Sequence, residues 1–377
     1  MLKRRQFMAV GAAAAGAAGL AWAGKAVLDR PGPAVTTSGT AGDFPRTLAE
    51  TAPAGGGPVR PDMRFDHVAV RLAEGTQPSA RIGFVDEAGE TSWQPVHFGD
   101  HGRDDVASGP AAVVAVPEGA VGYEVRADGA EPAAVAFNTR DGDGVSSEGP
   151  ATGTLRASEQ SSQAEGSSLR FLTRAGWGAD ESLRFDDEGN DLWPAEFFPV
   201  QTITVHHTAM AVGDDPAAAV RAVYQLHAVE QAWGDIGYHL LIDPEGTVYE
   251  GRHSGEDRIP VFDGPPDGTG ARAVTAGHVA QMNSGNVGVC LLGDFTDAQP
   301  TQAAQDSLVQ VLSVLCMYTG VNPTDDVNYV NPGNDMTITV QGVSRHRDWL
   351  ETECPGNTFA ENFDAVRDRV AEIVGQG

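Results

Sequence analysis

The chain has 377 residues, more than one hydrophobic core usually supports, so its length predicts at least two domains. Hydrophobic residues make up 41% and charged residues 20%, an ordinary globular composition that argues against wholesale disorder. The 52 acidic residues outnumber the 25 lysines and arginines, which gives a formal net charge of -27. Because nucleic-acid binders need positive charge to neutralise phosphates, this excess excludes nucleic acid as a partner.

Residues 1–23 have the pattern of an export signal. Arg4 and Arg5 precede an apolar, small-residue stretch from Met8 to Trp22, and Ala21-Trp22-Ala23 has the form of a cleavage site. The arginine pair is typical of twin-arginine export. The stretch is too short and too rich in Ala and Gly for a spanning helix, which favours cleavage over an uncleaved anchor. Since no later apolar run could cross a bilayer, we expect no transmembrane helix in the mature chain and an extracellular location.

A β-rich module is predicted next. Residues 24–63, with Pro, Gly, Thr and Ala but no apolar periodicity, predict a flexible linker. Within residues 64–140, short apolar segments separated by Gly, Pro and Asp predict a small all-β sandwich; they are His67–Leu72, Arg81–Val85, Ala111–Val116, Gly122–Arg126 and Ala133–Phe137. Because no cluster of His, Cys or paired carboxylates is evident in it, we expect a spacer or binding module without chemistry.

Residues 141–169, rich in Ser, Gly and Glu, predict a second linker, and residues 170–377 alternate strand and helix patterns. Strands are predicted at Val200–Val205, Val287–Leu292 and Thr337–Val343, with a hairpin around Pro244-Glu245-Gly246. Helices are predicted to begin after Asp215 and at Thr301, and a last one covers about Thr358–Val374. This alternation predicts an α/β domain with a central mixed sheet and flanking helices.

Three short stretches of this domain carry potential metal ligands: the pair His206-His207, His346 and Cys354. Two imidazoles and one thiolate suit zinc, and three protein ligands leave the fourth tetrahedral position for the water of a catalytic site. Such a site would hydrolyse an amide or an ester. Spacing alone does not decide, because a single histidine is more often a hydrogen-bonded structural residue. Cys354 could equally be a nucleophile or half of a disulfide.

An ordered set of motifs then favours the metal site over a structural histidine, a nucleophilic cysteine or a disulfide. The chain from about Phe171 to its C-terminus resembles the peptidoglycan recognition protein and type 2 N-acetylmuramoyl-L-alanine amidase family, including secreted actinobacterial members. The motifs that carry the resemblance are Arg174-Ala-Gly-Trp-Gly-Ala-Asp180, Val205-His-His-Thr208, Asp235-Ile-Gly-Tyr-His239, Gly246-Thr-Val-Tyr-Glu-Gly-Arg252, Ala276-Gly-His278, Asn286-Val-Gly-Val-Cys290 and His346-Arg-Asp348 to Thr352-Glu-Cys-Pro-Gly356.

The resemblance implies roles for individual residues. His206, His346 and Cys354 match the three zinc ligands, and His207 would support the site from behind them. Tyr238 and Thr352 match residues that contact the bound water or the developing oxyanion, as donors that act in the transition state. The resemblance also implies that His278 and Asn283 line the groove for the peptide stem and bind substrate. Taken without it, Tyr238 would be a core aromatic in a strand and Thr352 a helix-capping or turn residue.

The resemblance implies a zinc-dependent amidase that cuts between the lactyl group of N-acetylmuramic acid and L-alanine in peptidoglycan. We expect a monomer that is secreted or associated with the cell wall. One alternative is a non-catalytic peptidoglycan-binding recognition protein; such relatives commonly lack the cysteine ligand, which Cys354 supplies here. Another is a cysteine hydrolase with Cys354 as nucleophile and His346 as base.

Overall fold

The computed structural model describes residues 35–375, apart from 53–56, 77–78, 100, 130, 157–167, 256–258 and 266–269. The predicted export signal, residues 1–23, and the first part of the predicted linker therefore lie outside the described residues. In the part of the chain that is described, no helix is both long enough and apolar enough to cross a bilayer.

The N-terminal part of the described chain is all β. Its strands are β1 Val35–Ser38, β2 Phe44–Pro45, β3 Leu48–Thr51, β4 His67–Arg71, β5 Ala80–Asp86, β6 Thr91–Pro95, β7 Ala111–Ala115, β8 Ala120–Ala127, β9 Ala133–Asn138 and β10 Gly144–Val145. A four-stranded antiparallel sheet in the order β3-β9-β4-β7 faces a three-stranded antiparallel sheet in the order β6-β5-β8. Val68 and Val70 of β4 pack with Ile82 and Phe84 of β5, as alternation along a strand requires. The predicted sandwich is confirmed.

The C-terminal part mixes strands and helices. Its elements are β11 Thr152–Arg156, β12 Ser168–Leu172, α1 Arg174–Trp177, β13 Phe197–Pro199, β14 Thr202–His207, α2 Pro216–Gln225, β15 Leu240–Ile242, β16 Val248–Glu250, β17 Arg272–Val274, β18 Asn286–Leu291, α3 Gln302–Thr319, β19 Asp326–Val330, β20 Thr337–Gln341, β21 Val343–Arg345, α4 Asn357–Glu361 and α5 Phe363–Gly375. Short 3-10 helices lie at Glu181–Arg184 and His346–Asp348, and a π-helical turn, Leu226–Glu230, continues α2.

These elements build the predicted α/β architecture. The central sheet has eight strands in the order β1-β11-β12-β16-β15-β18-β14-β21, with both parallel and antiparallel pairs. Helix α3 packs its Leu308 and Val311 on one face of the sheet, with Val205 and Val289. Helix α2 packs Val220 and Val223 on the other face, with Leu241 and Cys290. The mixed sheet with helices on both faces is confirmed.

Two helix starts follow their predicted caps. Asp215 accepts a hydrogen bond from the N–H of Ala218 at 3.1 Å, directly before Pro216, the first residue of α2. Thr301 does the same for the N–H of Ala304 at 3.1 Å and starts α3. Each side chain satisfies a donor that the first helical turn leaves unpaired.

The segments predicted as linkers differ from expectation. β1, within residues 24–63, pairs antiparallel with β11, within residues 141–169, and β11 pairs antiparallel with β12, which begins at Ser168 in the same segment. These three strands therefore extend the edge of the central sheet. Their Thr and Ser residues hide the strand pattern because an edge strand of an antiparallel pair can leave one face in water. All described residues belong to one compact unit, Pro31–Gly377.

The sandwich and the α/β part share a hydrophobic core. Val113 and Phe137, on the outer face of the four-stranded sheet, join the cluster that contains Val220 and Val223 of α2. The side chain of Arg221 donates to the backbone oxygen of Thr139 at 3.2 Å. The four-stranded sheet is therefore covered on both faces, and the sandwich is fixed against helix α2.

Candidate metal centre

Two parallel strands bring His206 and His346 to the same edge of the central sheet. His206 is the next-to-last residue of β14, and His346 directly follows β21. Since β14 and β21 pair in parallel, their carboxyl ends meet at this edge, where α/β proteins place their sites. The two imidazole centroids lie 4.5 Å apart, and both residues are fully buried.

Cys354 reaches this edge from the loop that follows the 3-10 helix His346–Asp348. Its Sγ lies 3.8 Å from Nδ1 of His206 and 3.4 Å from the backbone nitrogen of His207, which donates to it. The N–H of Arg347 donates to the Cys354 carbonyl at 3.1 Å and holds the loop against the helix. None of the three cysteines forms a disulfide, so Cys354 is not half of one.

The donor set fits zinc. Among the described residues, neither ring nitrogen of the fully buried His346 has a hydrogen-bond partner. An unpaired buried polar group costs about 1–3 kcal/mol, and a bond to a metal would remove that cost. Two imidazoles and a thiol are the donor types that zinc prefers in proteins.

His278 orients His206. Its Nδ1 lies 3.0 Å from Nε2 of His206, and its Nε2 lies 3.0 Å from the carbonyl oxygen of Asn286. Because a carbonyl only accepts, Nε2 of His278 carries the proton, and Nδ1 accepts from the Nε2–H of His206. This chain leaves an unprotonated Nδ1 on His206, the nitrogen that faces Cys354. Buried partners of this kind fix the tautomer of metal-binding histidines.

A glycine makes room for this partner. A Cβ placed on Gly288 of β18 would lie 2.5 Å from ring atoms of His278, much closer than atoms in contact can be. Any side chain at position 288 would therefore push His278 away from His206.

The imidazoles at this edge are neutral at pH 7. Burial lowers the pKa of His207 to about 4. Burial, reinforced by the neighbouring imidazoles, holds the pKa of His206 and of His346 well below the usual 6.5. The neutral imidazole is the form that binds a metal.

Tyr238 and Thr352 line a cleft of about 280 Å³ beside Cys354. Burial, with the nearby sulfurs of Cys290 and Cys354, raises the pKa of the Tyr238 phenol well above its usual 10, so the hydroxyl keeps its proton. The Thr352 hydroxyl accepts from the N–H of Cys354 at 3.3 Å, which leaves its proton for another acceptor. The structure thus brings two hydroxyl donors next to the three candidate ligands.

A buried ion-pair network holds the backbone at Tyr238. The carboxylate of Asp235 accepts from Arg174 and from Arg252, each at 2.9 Å, and all three residues are buried. The backbone N–H of Arg252 donates to the Tyr238 carbonyl at 2.8 Å. Burial acts to raise the pKa of Asp235, but the two guanidinium groups hold this pKa at about 2.

The structure gives other positions to the two residues predicted to bind substrate. His278 lies behind His206, and neither it nor Asn283 lines the cleft. The Asn283 side chain accepts from the N–H groups of His278 and Val279 and donates to the Gly102 carbonyl at 2.8 Å. His207, predicted as a support, contributes its backbone N–H to Cys354, and its Nδ1 accepts from the N–H of Phe295 at 3.3 Å.

His101, which the sequence analysis missed, completes the cluster. It precedes β7 of the sandwich, and its candidate ligand atom lies within 4.8 Å of those of His206, His346 and Cys354. Its ring stacks on His346 with centroids 5.2 Å apart and planes at 16°. The only local sign of it is a histidine among glycines and aspartates, a pattern typical of ordinary loops.

Comparison with known proteins finds similarity over the α/β part to N-acetylmuramoyl-L-alanine amidases and peptidoglycan recognition proteins. The family model described as N-acetylmuramoyl-L-alanine amidase matches residues 196–357. Peptidoglycan recognition protein 1 of Bos taurus is 40% identical over 162 residues, covering 42% of this chain and 68% of the relative.

Two further similarities cover the same part of the chain. N-acetylmuramoyl-L-alanine amidase of Homo sapiens is 29% identical over 174 residues, covering 45% of this chain; the chain spans only 24% of that relative's length. The solved structure of Drosophila PGRP-LB is 26% identical, with a TM-score of 0.36, and covers 52% of this chain and 93% of its own.

Proposed function

Because the chain belongs to the peptidoglycan recognition protein and N-acetylmuramoyl-L-alanine amidase family, we propose that it is a zinc-dependent amidase. Its reaction is hydrolysis of the amide bond between the lactyl group of N-acetylmuramic acid and L-alanine of the peptidoglycan stem. The observation that carries the proposal is the convergence of His206, His346 and Cys354, with both nitrogens of the buried His346 unpaired among the described residues.

The candidate residues have separate roles in the proposed reaction. His206, His346 and Cys354 would hold a zinc ion, which supplies the Lewis acidity that polarises a carbonyl and makes water reactive near neutral pH. His278 keeps Nδ1 of His206 unprotonated for this purpose. Tyr238 and Thr352 donate hydrogen bonds to the oxyanion that forms as water attacks the amide carbon. Loss of one such donor typically costs about 10²–10³ in rate.

The proposed substrate sets the place of action. Peptidoglycan lies outside the cytoplasmic membrane, so we propose a secreted or wall-associated protein, as the pattern of residues 1–23 predicts. A monomer is sufficient, since all candidate ligands and hydroxyl donors come from one chain.

A recognition protein that binds peptidoglycan without cutting it is the second candidate. One observation favours it: His101 adds a fourth donor to the cluster, and four protein ligands are typical of zinc sites that are structural. Cys354 and Thr352 favour hydrolysis, because both lie at the cleft where the reaction would occur.

The test is the appearance of new N-terminal alanine in purified cell walls. We expect the full chain to bind one zinc ion and to release alanine amino termini when loaded with zinc, and not after metal removal by a chelator. Restoring zinc should restore the release. Cys354→Ala should lose both zinc and release, whereas Cys316→Ala, a free buried cysteine of α3, is the matched control and should keep both.

Three outcomes would contradict the proposal. Wall binding without alanine release, both by the zinc-loaded chain and by its His101→Ala variant, would identify a recognition protein. Release that survives chelation but stops after thiol alkylation would identify a cysteine hydrolase. Full zinc content in Cys354→Ala would refute the ligand assignment.

A further inference from the structure

A segment of the β sandwich occupies the mouth of the metal centre. Residues 101–110, here called the His101 loop, lead into β7. Nε2 of His101 lies 3.0 Å from the hydroxyl of Tyr238, and its ring contacts both His206 and His346, with centroids 5.6 and 5.2 Å away. This places an imidazole of one domain between the candidate ligands and the hydroxyl donor of the other.

The His101 loop is anchored by the α/β part at Gly102 and at Asp104. The Gly102 carbonyl accepts from the side chain of Asn283 at 2.8 Å. The carboxylate of Asp104 accepts from the side chains of Asn283 and Asn331 at 2.5 and 2.9 Å. Asn283 makes two of these three bonds and Asn331 makes the third, and both residues are fully buried.

Arg103 adds a second anchor. Its guanidinium is buried, donates to the Trp233 carbonyl at 2.8 Å and lies 4.4 Å from the centre of the Trp193 ring. At the far end of the loop, Gln231 donates to the Gly109 carbonyl at 3.0 Å. Because the buried side chains of Arg103 and Asn283 both have hydrogen-bond partners across this contact, the position of His101 is specified by the fold.

Hydrophobic packing against the α/β part also fixes the strand that follows the loop. The strand that follows the loop, β7, contributes Val113 to the cluster around α2. The sandwich therefore presents His101 from a rigid base, and a displacement of His101 requires the loop to leave its hydrogen bonds with Asn283 and Asn331.

We propose that His101 is a fourth protein ligand and that the folded chain is a latent amidase, closed by its own His101 loop. The proposal rests on the proposed function. Three protein ligands leave a position for water, while four close the site. With His101 in that position, the zinc centre is stable but blocked. Hydrolysis requires the loop to withdraw, which also uncovers Asn283 and the hydroxyl of Tyr238.

The test compares the wild type with His101→Ala and with His97→Ala. His97 precedes the loop and borders the same cleft, but it is not one of the four clustered donors, so its variant is the matched control. Zinc affinity is measured by competition with a chromophoric chelator. Loss of a residue that only supports a ligand typically weakens metal binding about 10–100-fold. We expect His101→Ala, which loses a ligand, to lower the zinc affinity by at least that factor. His97→Ala should leave the zinc affinity unchanged.

Two further readouts report the open position. In cobalt-substituted protein, added azide should change the visible spectrum of His101→Ala and leave that of the wild type and His97→Ala unchanged. Release of N-terminal alanine should rise at least about tenfold in His101→Ala if the open form is less than a tenth of the wild-type population. Asp104→Ala removes the carboxylate that anchors the loop to Asn283 and Asn331, and it keeps all four donors. This variant should also raise the rate of alanine release. It replaces His101→Ala in the test if His101→Ala does not fold.

The outcomes separate this inference from the proposed function. Equal zinc affinity and equal azide response in the wild type and His101→Ala would overturn the fourth ligand. A rate that falls in His101→Ala would overturn latency and give His101 a role in hydrolysis. If zinc affinity and azide response change as expected but no variant releases alanine, the closed site stands and the amidase function fails.

Discussion

His278 determines which nitrogen of His206 can bind a metal. The resemblance assigns His278 to the groove for the peptide stem, as a residue that binds substrate. In the structure it is fully buried, hydrogen-bonded to His206 on one side and to the Asn286 carbonyl on the other. It acts on the metal centre only through His206, so it is a positioning residue.

His278→Ala should weaken zinc binding about 10–100-fold, because His206 would lose the partner that fixes its tautomer. Chelator competition measures the affinity, and circular dichroism verifies the fold. His253→Ala removes a histidine that is not among the four clustered donors and should leave the affinity unchanged. Unaltered zinc affinity in folded His278→Ala would show that the hydrogen bond has no influence on the metal.

At the scale of single residues, a role could be predicted only for residues that belong to a short, recognisable motif. His206 and His346 lie in short motifs at strand ends, Cys354 lies in the motif eight residues after His346, and the structure brings their donor atoms together. His101 belongs to a different domain, and its approach depends on hydrogen bonds from Asn283 and Asn331 that no local pattern encodes.

The elements around the cleft depend on the Arg174–Asp235–Arg252 network. Asp235 joins α1 to the end of β16, since Arg174 belongs to α1 and Arg252 follows β16. Removing the central carboxylate would leave two buried guanidinium groups with one partner fewer.

Asp235→Ala should reduce the free energy of unfolding by about 3–5 kcal/mol, the cost of breaking a buried ion pair. Asp306→Ala breaks an exposed pair with Arg369 and should cost at most about 1 kcal/mol. Urea unfolding measures both. The folded pKa of Asp235, about 2, lies below its usual 3.8, so the advantage of the wild type over Asp235→Ala is complete above about pH 4.

That advantage should shrink as the pH falls through about 2, because the carboxylate then gains a proton in both states. Equal costs for Asp235→Ala and Asp306→Ala at pH 7 would show that the network does not stabilise the fold.

At the scale of elements, capping residues predicted where helices α2 and α3 begin. The sequence pattern did not reveal that the last helix is interrupted. The last helix, predicted as one over Thr358–Val374, is broken at Asn362 into α4 and α5. The Asn362 carbonyl accepts from the N–H of Ala365, a turn-like bond between the two helices. Asparagine competes with helical hydrogen bonds and favours such ends. Tyr238, predicted inside a strand, lies just before β15.

At the scale of the whole molecule, the sandwich and the α/β part belong to one compact unit. Each was predictable as a fold from local periodicity. Their shared core and the pairing of β1 with β11 were not, because these contacts join segments far apart in the chain. The same long-range packing carries a loop of the sandwich to the metal centre, so a module expected to be a spacer supplies a residue to the site.

The identity of the atoms around a bound zinc ion can be measured by X-ray absorption on the full chain loaded with one zinc. We expect one sulfur from Cys354 and imidazole nitrogens from His206, His346 and His101, with the sulfur signal absent in Cys354→Ala. A zinc ion with no sulfur neighbour, or a spectrum that Cys354→Ala leaves unchanged, would contradict the metal centre on which the proposed amidase rests.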